Sequence, residues 1–206
     1  MELTLGQKDA VTELINIGYG RAAGALSELT GYRITLEVPE VTIHEIDMIG
    51  PLLESRIKLD VASVNQVFSG PVSGNALLLL DQASALVLSR LLGDEHAVSE
   101  GFDTNAKEII TEVGNIVLNA CLGVFGNLLQ IQVTFSVPRL HIESVTRVMG
   151  KVINNADEPL SYGLMIHTRF HVKAGNVTGY MVIVLGIASL DRLLLELNKW
   201  EDRQVQ

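Results

Sequence analysis

The sequence predicts an α/β fold, an α+β sandwich in which long helices pack on an antiparallel sheet. The first observation is that residues 5–46 align with residues 104–145 at a constant offset, without gaps. The second is that each copy starts with helical periodicity and then changes to the two-residue alternation of a strand. The identical positions are Lys8/Lys107, Thr12/Thr111, Glu13/Glu112, Asn16/Asn115, Ile17/Ile116, Gly24/Gly123, Leu29/Leu128, Thr35/Thr134, Val38/Val137, Pro39/Pro138 and Ile43/Ile142.

A tandem duplication explains this self-similarity. A weaker match pairs residues 73–92 with residues 178–197. We therefore expect an internal duplication with pseudo-two-fold symmetry, in repeats of about 1–99 and 100–206. Since neither half looks able to bury its apolar surface alone, we expect a single fused domain over the whole chain.

Each half is predicted to contain a long helix, three strands and a closing helix. The predicted segments are 5–30, 32–46, 56–69, 74–80 and 81–93 in the first half, and 104–129, 131–145, 161–173, 178–185 and 186–200 in the second. Thr4-x-x-Gln7 matches a capping box for the first helix, and Asp103 or Thr104 can cap its counterpart. The polar segments 94–103 and 154–159 are the predicted loops at the seams.

Composition limits the classes of function. The chain has 206 residues and a net charge of −9, which argues against affinity for nucleic acid or an anionic membrane, because both require Lys and Arg. The first residues lack a basic region followed by an apolar run, so we expect no signal peptide and a cytoplasmic location. Cys121, the one cysteine, is expected to be a small buried hydrophobe.

A polar stripe runs along each predicted long helix, because spacings of 4, 3 and 4 residues place its members on one face. The stripes are Asp9, Glu13, Asn16 and Gly20 in the first helix, and Glu108, Glu112, Asn115 and Asn119 in the second. A solvated helix face would also explain such residues. However, Asn is a mediocre helix former, and the Glu and Asn positions are the same in two otherwise diverged copies. We therefore favour a functional role.

Carboxylate and amide side chains leave several chemical roles open. Two carboxylates and an amide could bind a divalent cation, but ligands along one helix face diverge. No Ser-His or Cys-His pairing indicates a nucleophile. An amide can instead orient a water molecule for attack on a phosphoryl group, and the neighbouring carboxylate can pair with a lysine of a docked protein.

The stripes also carry a family resemblance. Each begins the pattern acidic/Ser-x3-Glu-x2-Asn-x22-Pro, which reads Asp9, Glu13, Asn16 and Pro39 in the first copy, and Glu108, Glu112, Asn115 and Pro138 in the second. This pattern resembles that of the CheC/CheX/FliY chemotaxis phosphatases. Two motifs in a chain of this length resemble CheC in particular.

The resemblance implies an activity and its partners. Similar proteins dephosphorylate the aspartyl phosphate of a CheY-like response regulator. The implied catalytic residues are Glu13 and Glu112, which would anchor the regulator by its active-site Lys, and Asn16 and Asn115, which would orient the attacking water. The motif-supporting residues would be Asp9, Glu108, Pro39 and Pro138. No metal or cofactor is expected in this chain, since Mg²⁺ would come from the regulator, and CheD is a further implied partner.

The two copies differ inside the motif, because EVGN at 112–115 becomes ELIN at 13–16. We expect Ile15, which replaces the glycine, to crowd the helix where a regulator approaches, so the second copy is favoured. The alternative function is a non-catalytic adaptor that docks CheD or a flagellar-switch protein through the same helical faces. An apolar or sheet-edge interface comes third.

Two further patterns are not assigned to sites. His167 and His171 are four residues apart, but on a predicted strand that spacing separates them by roughly 13 Å, which is too far for one metal ion. The segment GYGRAAG at 18–24 falls inside a predicted helix. We therefore interpret its small residues as a helix-packing surface rather than as a nucleotide-binding loop.

Overall fold

A computed structural model describes residues 4–57, 60–92, 102–156, 158–173 and 175–204. The helices in this part of the chain are α1 (Leu5–Thr30), α2 (Ile46–Arg56), α3 (Gln82–Leu92), α4 (Thr104–Leu129), α5 (Val145–Asn154) and α6 (Ile187–Gln204). The strands are β1 (Thr35–Glu45), β2 (Val61–Ser69), β3 (Gly74–Asp81), β4 (Thr134–Phe135), β5 (Arg139–Glu143), β6 (Tyr162–Val172) and β7 (Gly175–Leu185). The predicted class, with long helices packed on an antiparallel sheet, is confirmed. Most of the predicted seam at 94–103 lies outside the described residues.

The described strands form one antiparallel sheet in the order β1-β6-β7-β3-β2-β4, with β5 also paired to β2. At its centre β3 pairs with β7, where Leu77 lies opposite Val182. Outward from β7, the sheet continues to β6 and to the edge strand β1, which follows α1 in the sequence. Outward from β3, it continues to β2 and then to β4 and β5, which follow α4. This order is consistent with two similar halves, and the duplication itself stays a prediction.

The sheet separates two apolar cores. On one face, residues such as Ala62 and Val64 of β2 pack with α1, α3, α4 and α6. On the other face, Val61 of β2 and Leu77 of β3 pack with α2 and α5. Because successive strand residues point to opposite faces, β2 contributes its even-numbered positions to the first core and its odd-numbered positions to the second.

The two long helices begin as predicted and pack closely. The Gln7 backbone N–H donates to the Thr4 hydroxyl and the Thr4 backbone N–H donates to the Gln7 side chain, which is the predicted capping box. Asp103 caps α4. A Cβ on Gly18 would lie 2.8 Å from the Cα of Cys121, so glycine allows α1 and α4 to approach. Cys121 is buried, and this burial raises the pKa of its thiol.

Helices α2 and α5 are missing from the predicted order, which places two strands directly after the first one in each half. The signal for α5 was present, since Ser144 caps it and Val145, Val148, Met149 and Val152 are buried at helical spacing. The signal for α2 is weaker because Gly50 and Pro51 lie inside it. The strand predicted near 56–69 therefore begins at Val61.

Helix α4 is apolar over most of its length. By length and composition alone, Thr104–Asn127 could cross a membrane, yet half of its most apolar window is buried inside the protein. A core helix passes the same test. Its burial against α1 and the sheet accounts for its composition.

Candidate functional site

The structure places both polar stripes on helix faces that solvent reaches. In α1 the exposed members are Asp9, Glu13, Asn16 and Gly20, and in α4 Glu108 and Glu112 are exposed while Asn115 and Asn119 are half-buried. The residues next to them in sequence, such as Leu14 and Val113, are buried. Each stripe therefore lies beside the face of its helix that packs on the core and remains accessible to a docked protein.

A chain of hydrogen bonds orders the stripe of α4. The Asn115 amide donates to Glu112 Oε2 at 3.3 Å, and the Asn119 amide donates to Asn115 Oδ1 at 2.5 Å. Gln66 of β2 donates from Nε2 to Asn119 Oδ1 at 3.0 Å and to the Ser136 carbonyl oxygen at 3.0 Å. Because every step runs from an amide N–H to an oxygen, the network determines which way each amide points.

This network of hydrogen bonds begins at Gln66 in the sheet and ends at Glu112 on the surface. Gln66 is 2% exposed, so its amide is held by the packing of β2 under α4. Asn115 uses one N–H and one carbonyl lone pair within the chain, and its second N–H and second lone pair stay available. An exposed amide that is already oriented loses less conformational entropy when it binds a water molecule or a partner.

The stripe of α1 lacks this support. Gly20 stands at the position that corresponds to Asn119 of α4. Within the described residues, neither Glu13 nor Asn16 makes a side-chain hydrogen bond. The two stripes therefore carry the same Glu and Asn pair, but only the pair in α4 is held in one arrangement by its neighbours.

Ile15 does not crowd the exposed helix face, so that expectation is wrong. Its side chain is fully buried and belongs to the core beneath α1. The corresponding Gly114 also faces inward, because a Cβ there would lie 2.5 Å from the Cβ of Val64 in β2. One residue corresponds to about 100° of helix rotation, which turns position 114 away from Asn115. The motif glycine therefore sets how closely α4 approaches the sheet.

The two motif prolines lie where strands are interrupted. Pro39 stands in β1, at the point where the pairing with β6 shifts between Glu37 and Glu40. Pro138 lies between β4 and β5, so the strand predicted at 131–145 is divided in two. Proline has no backbone N–H for the ladder, which favours such breaks. Ser136, in the second break, presents its carbonyl oxygen to Gln66.

The sequence reasoning missed Gln66 and Ser136. The available signal was a Gln on the strand face that otherwise carries Ala62, Val64 and Phe68, which usually indicates a buried hydrogen bond. Its partner Asn119 is 53 residues away along the chain, so no local pattern could identify it.

Metal-binding side chains do not cluster in the described part of the chain, where no group of three or more His, Cys, Asp or Glu could hold an ion. His167 and His171 both lie on β6, as predicted. The source of any Mg²⁺ stays a prediction.

Comparisons with known proteins match the motif and the fold. A family model described as the CheC-like family matches residues 7–43, which include Glu13, Asn16 and Pro39. The chain is 24% identical over 191 residues to the flagellar motor switch phosphatase FliY of Bacillus subtilis, covering 89% of this chain and 47% of that protein. It is 22% identical over 165 residues to the CheY-P phosphatase CheC of the same organism, covering 79% of this chain and 78% of that protein. The chain thus spans about half the length of FliY.

Solved structures share this fold. The crystal structure of Thermotoga maritima FliY has a TM-score of 0.78 and 21% identity, covering 97% of this chain and 100% of that one. A FliG–FliM complex from H. pylori has a TM-score of 0.61 and 16% identity, covering 93% and 99%. The fold is therefore shared with the FliY structure and with a chain of the FliG–FliM complex. The predicted resemblance to the CheC-like chemotaxis phosphatases is confirmed, with relatives named CheC and FliY.

Proposed function

We propose that the chain is a cytoplasmic phosphatase that hydrolyses the aspartyl phosphate of a CheY-like response regulator. The observation that carries the proposal is the hydrogen-bonded chain that holds Asn115 beside the exposed Glu112. The repeated Glu-x2-Asn-x22-Pro pattern and the relatives named CheY-P phosphatase and motor switch phosphatase support it.

The proposed mechanism depends on positioning. Phosphoryl transfer needs little covalent chemistry from the protein, and most of the catalysis comes from alignment and charge stabilisation. The Glu112 carboxylate would pair with the active-site lysine of the regulator, which places α4 over the phosphoryl group. Asn115 would then hold a water molecule in line with the phosphorus–oxygen bond to be broken. The phosphorylated aspartate and Mg²⁺ would both belong to the regulator.

The stripe of α4 is proposed as the more active of two sites. Asn115 is held by Asn119 and Gln66, whereas Asn16 has no such support among the described residues. An amide misplaced by about 1 Å can lose roughly 100-fold in rate. Glu13 and Asn16 would therefore act in the same way but more slowly.

The test is the rate of phosphate loss from a phosphorylated CheY-like regulator with Mg²⁺ present. Asn16→Ala combined with Asn115→Ala should slow it by roughly 100-fold, the cost of losing alignment of the water. Asn115→Ala alone should account for most of that loss, and Asn16→Ala for little. Asn127→Ala, which removes an exposed amide elsewhere on α4, serves as the matched control. An unchanged rate in the double variant would show that the amides do not orient the water.

A non-catalytic adaptor is the second candidate, because the FliM middle domain from H. pylori shares the fold. The two candidates differ in what Glu112→Ala and Asn115→Ala do. A phosphatase should lose regulator binding at the α4 site with the first variant, and with the second it should keep that binding but lose most of the hydrolysis. An adaptor would bind its partner without any acceleration of phosphate loss.

CheD remains a proposed partner on the strength of the resemblance alone. Co-elution of the purified chain with a CheD protein during gel filtration would test it. Failure to co-elute at micromolar concentrations would remove CheD from the proposal and leave the phosphatase activity unaffected.

A further inference from the structure

A groove of about 570 Å³ lies on the sheet face that α5 covers, away from both polar stripes. Its floor is formed by odd-numbered residues of β2 and by β3, one wall by β5 and the other by α5. A second hollow of about 320 Å³ adjoins it and shares the floor residue Asn75. These volumes are in the range of small-molecule sites.

Two cationic side chains and a histidine line the walls of the groove. Arg139 and His141 enter from β5, and Lys151 enters from α5. None of the described residues that line the groove is acidic. Glu143, two residues after His141 on β5, pairs with Lys151 and lies 3.8 Å from His141, while Arg139 makes no ion pair within the described residues. In a chain with a net charge of −9, Arg139 is thus a cation of the groove whose charge no described carboxylate offsets.

The floor of the groove contains amides without partners. Asn75 is 6% exposed, and its side chain makes no hydrogen bond within the described residues. The buried Oδ1 of Asn65, on the neighbouring strand, also has no partner there. Burying an amide without a hydrogen bond is unfavourable, so such groups usually mark a position that a ligand or water occupies.

On the other side of the sheet, the position in β7 that corresponds to Asn75 has different surroundings. Leu77 of β3 and Val182 of β7 lie opposite each other at the centre of the sheet, and Asn75 and Tyr180 lie two positions before them. Asn75 and Tyr180 are therefore corresponding residues. The Tyr180 ring stacks on His167 at 5.1 Å, and Arg56 lies 5.8 Å above its centre. On the β7 side, the Tyr180, His167 and Arg56 side chains therefore pack together, whereas on the β3 side Asn75 borders the groove.

We propose that this groove binds a small organic oxyanion, a carboxylate or a phosphate ester, that also carries a hydroxyl group. Arg139 supplies the charge that recognises the oxyanion, and Lys151, which is paired with Glu143, can donate a further hydrogen bond. Asn65 and Asn75 supply acceptors for the hydroxyl. The remaining wall is aliphatic, with residues such as Val148, and the described lining contains no Phe, Tyr or Trp ring to stack on a nucleobase.

Isothermal titration calorimetry on the whole chain tests this directly. The probes are glycerol 3-phosphate for the phosphate class and L-malate for the carboxylate class, with glycerol as the uncharged control at matched ionic strength. At least one anion should bind saturably, and glycerol should not bind. The anion that binds more tightly shows whether the groove prefers a phosphate ester or a carboxylate.

Substitutions assign the binding to the groove. Arg139→Gln should weaken it by at least about tenfold, because a charge-assisted hydrogen bond is lost. Asn75→Leu should also weaken it, whereas Arg33→Gln, which removes an exposed charge outside the groove, should have no effect. The proposal is overturned if neither anion binds, if glycerol binds equally well, or if Arg139→Gln leaves the affinity unchanged. Because binding is measured without a regulator, the outcome does not depend on the phosphatase proposal.

Discussion

Replacing Gly114 with Ala should destabilise the protein even though alanine is the better helix former. The added Cβ would lie 2.5 to 2.6 Å from three carbon atoms of Val64, where carbon atoms normally keep about 3.5–4.0 Å apart. Helix α4 must therefore move away from β2 by roughly 1 Å. Overpacking of this kind costs up to about 3 kcal/mol, and the higher helix propensity of alanine returns about 1 kcal/mol. The expected net loss is roughly 2 kcal/mol.

Urea unfolding followed by circular dichroism measures this change, which corresponds to a fall in Tm of roughly 4–8 °C for a chain of this size. Gly123→Ala is the matched control, because it lies in the same helix and its added Cβ would meet nothing within 4 Å. That variant should gain up to about 1 kcal/mol. If the two variants are equally stable, the contact between α4 and β2 is looser than the structure indicates and the reasoning fails.

Three further substitutions test other contacts. Tyr19→Phe should lower the free energy of unfolding by about 1–2 kcal/mol, because the buried Thr168 hydroxyl loses a 2.5 Å hydrogen bond. Urea unfolding measures this loss, and adding Thr168→Val to the same chain should recover most of it. Thr4→Ala should cost about 1 kcal/mol by removing the cap of α1, and an unchanged midpoint would contradict this. Partial burial lowers the pKa of His167 below its usual 6.5, so below that pH the unfolded chain binds more protons and stability falls. His167→Gln should make stability less dependent on pH there, and identical pH curves would show that the ring is not the cause.

Local patterns in the sequence were sufficient for the long helices and for the positions of the stripes. The predicted limits 5–30 and 104–129 are those of α1 and α4, because capping residues and the 3.6-residue period act within a few positions. Helices α2 and α5 were not predicted because they follow strands without a break. Alternation and helical period overlap in such short apolar segments.

The role of the motif glycine could not be read from its neighbours. EVGN and ELIN differ at two inward positions, and sequence spacing alone gave no reason to separate the glycine position from the Glu and Asn beside it. Only the packing of α4 on β2 shows that Gly114 faces Val64, while Ile15 fills the core at the corresponding place in α1. The difference between the two copies at this position therefore concerns how each helix packs on the core, and not the surface that faces a partner.

By itself the sequence determined which residues share a helix face, since that depends only on the 100° rotation per residue. Glu112 and Asn115 were placed together in this way. The tertiary structure decided what holds them, because Gln66 donates hydrogen bonds to Asn119 and to Ser136, which lie 53 and 70 residues away along the chain. It also decided where the groove opens, since Asn75, Arg139 and Lys151 meet only when separate strands and a helix pack. Such contacts depend on chain packing, which a local residue pattern does not record.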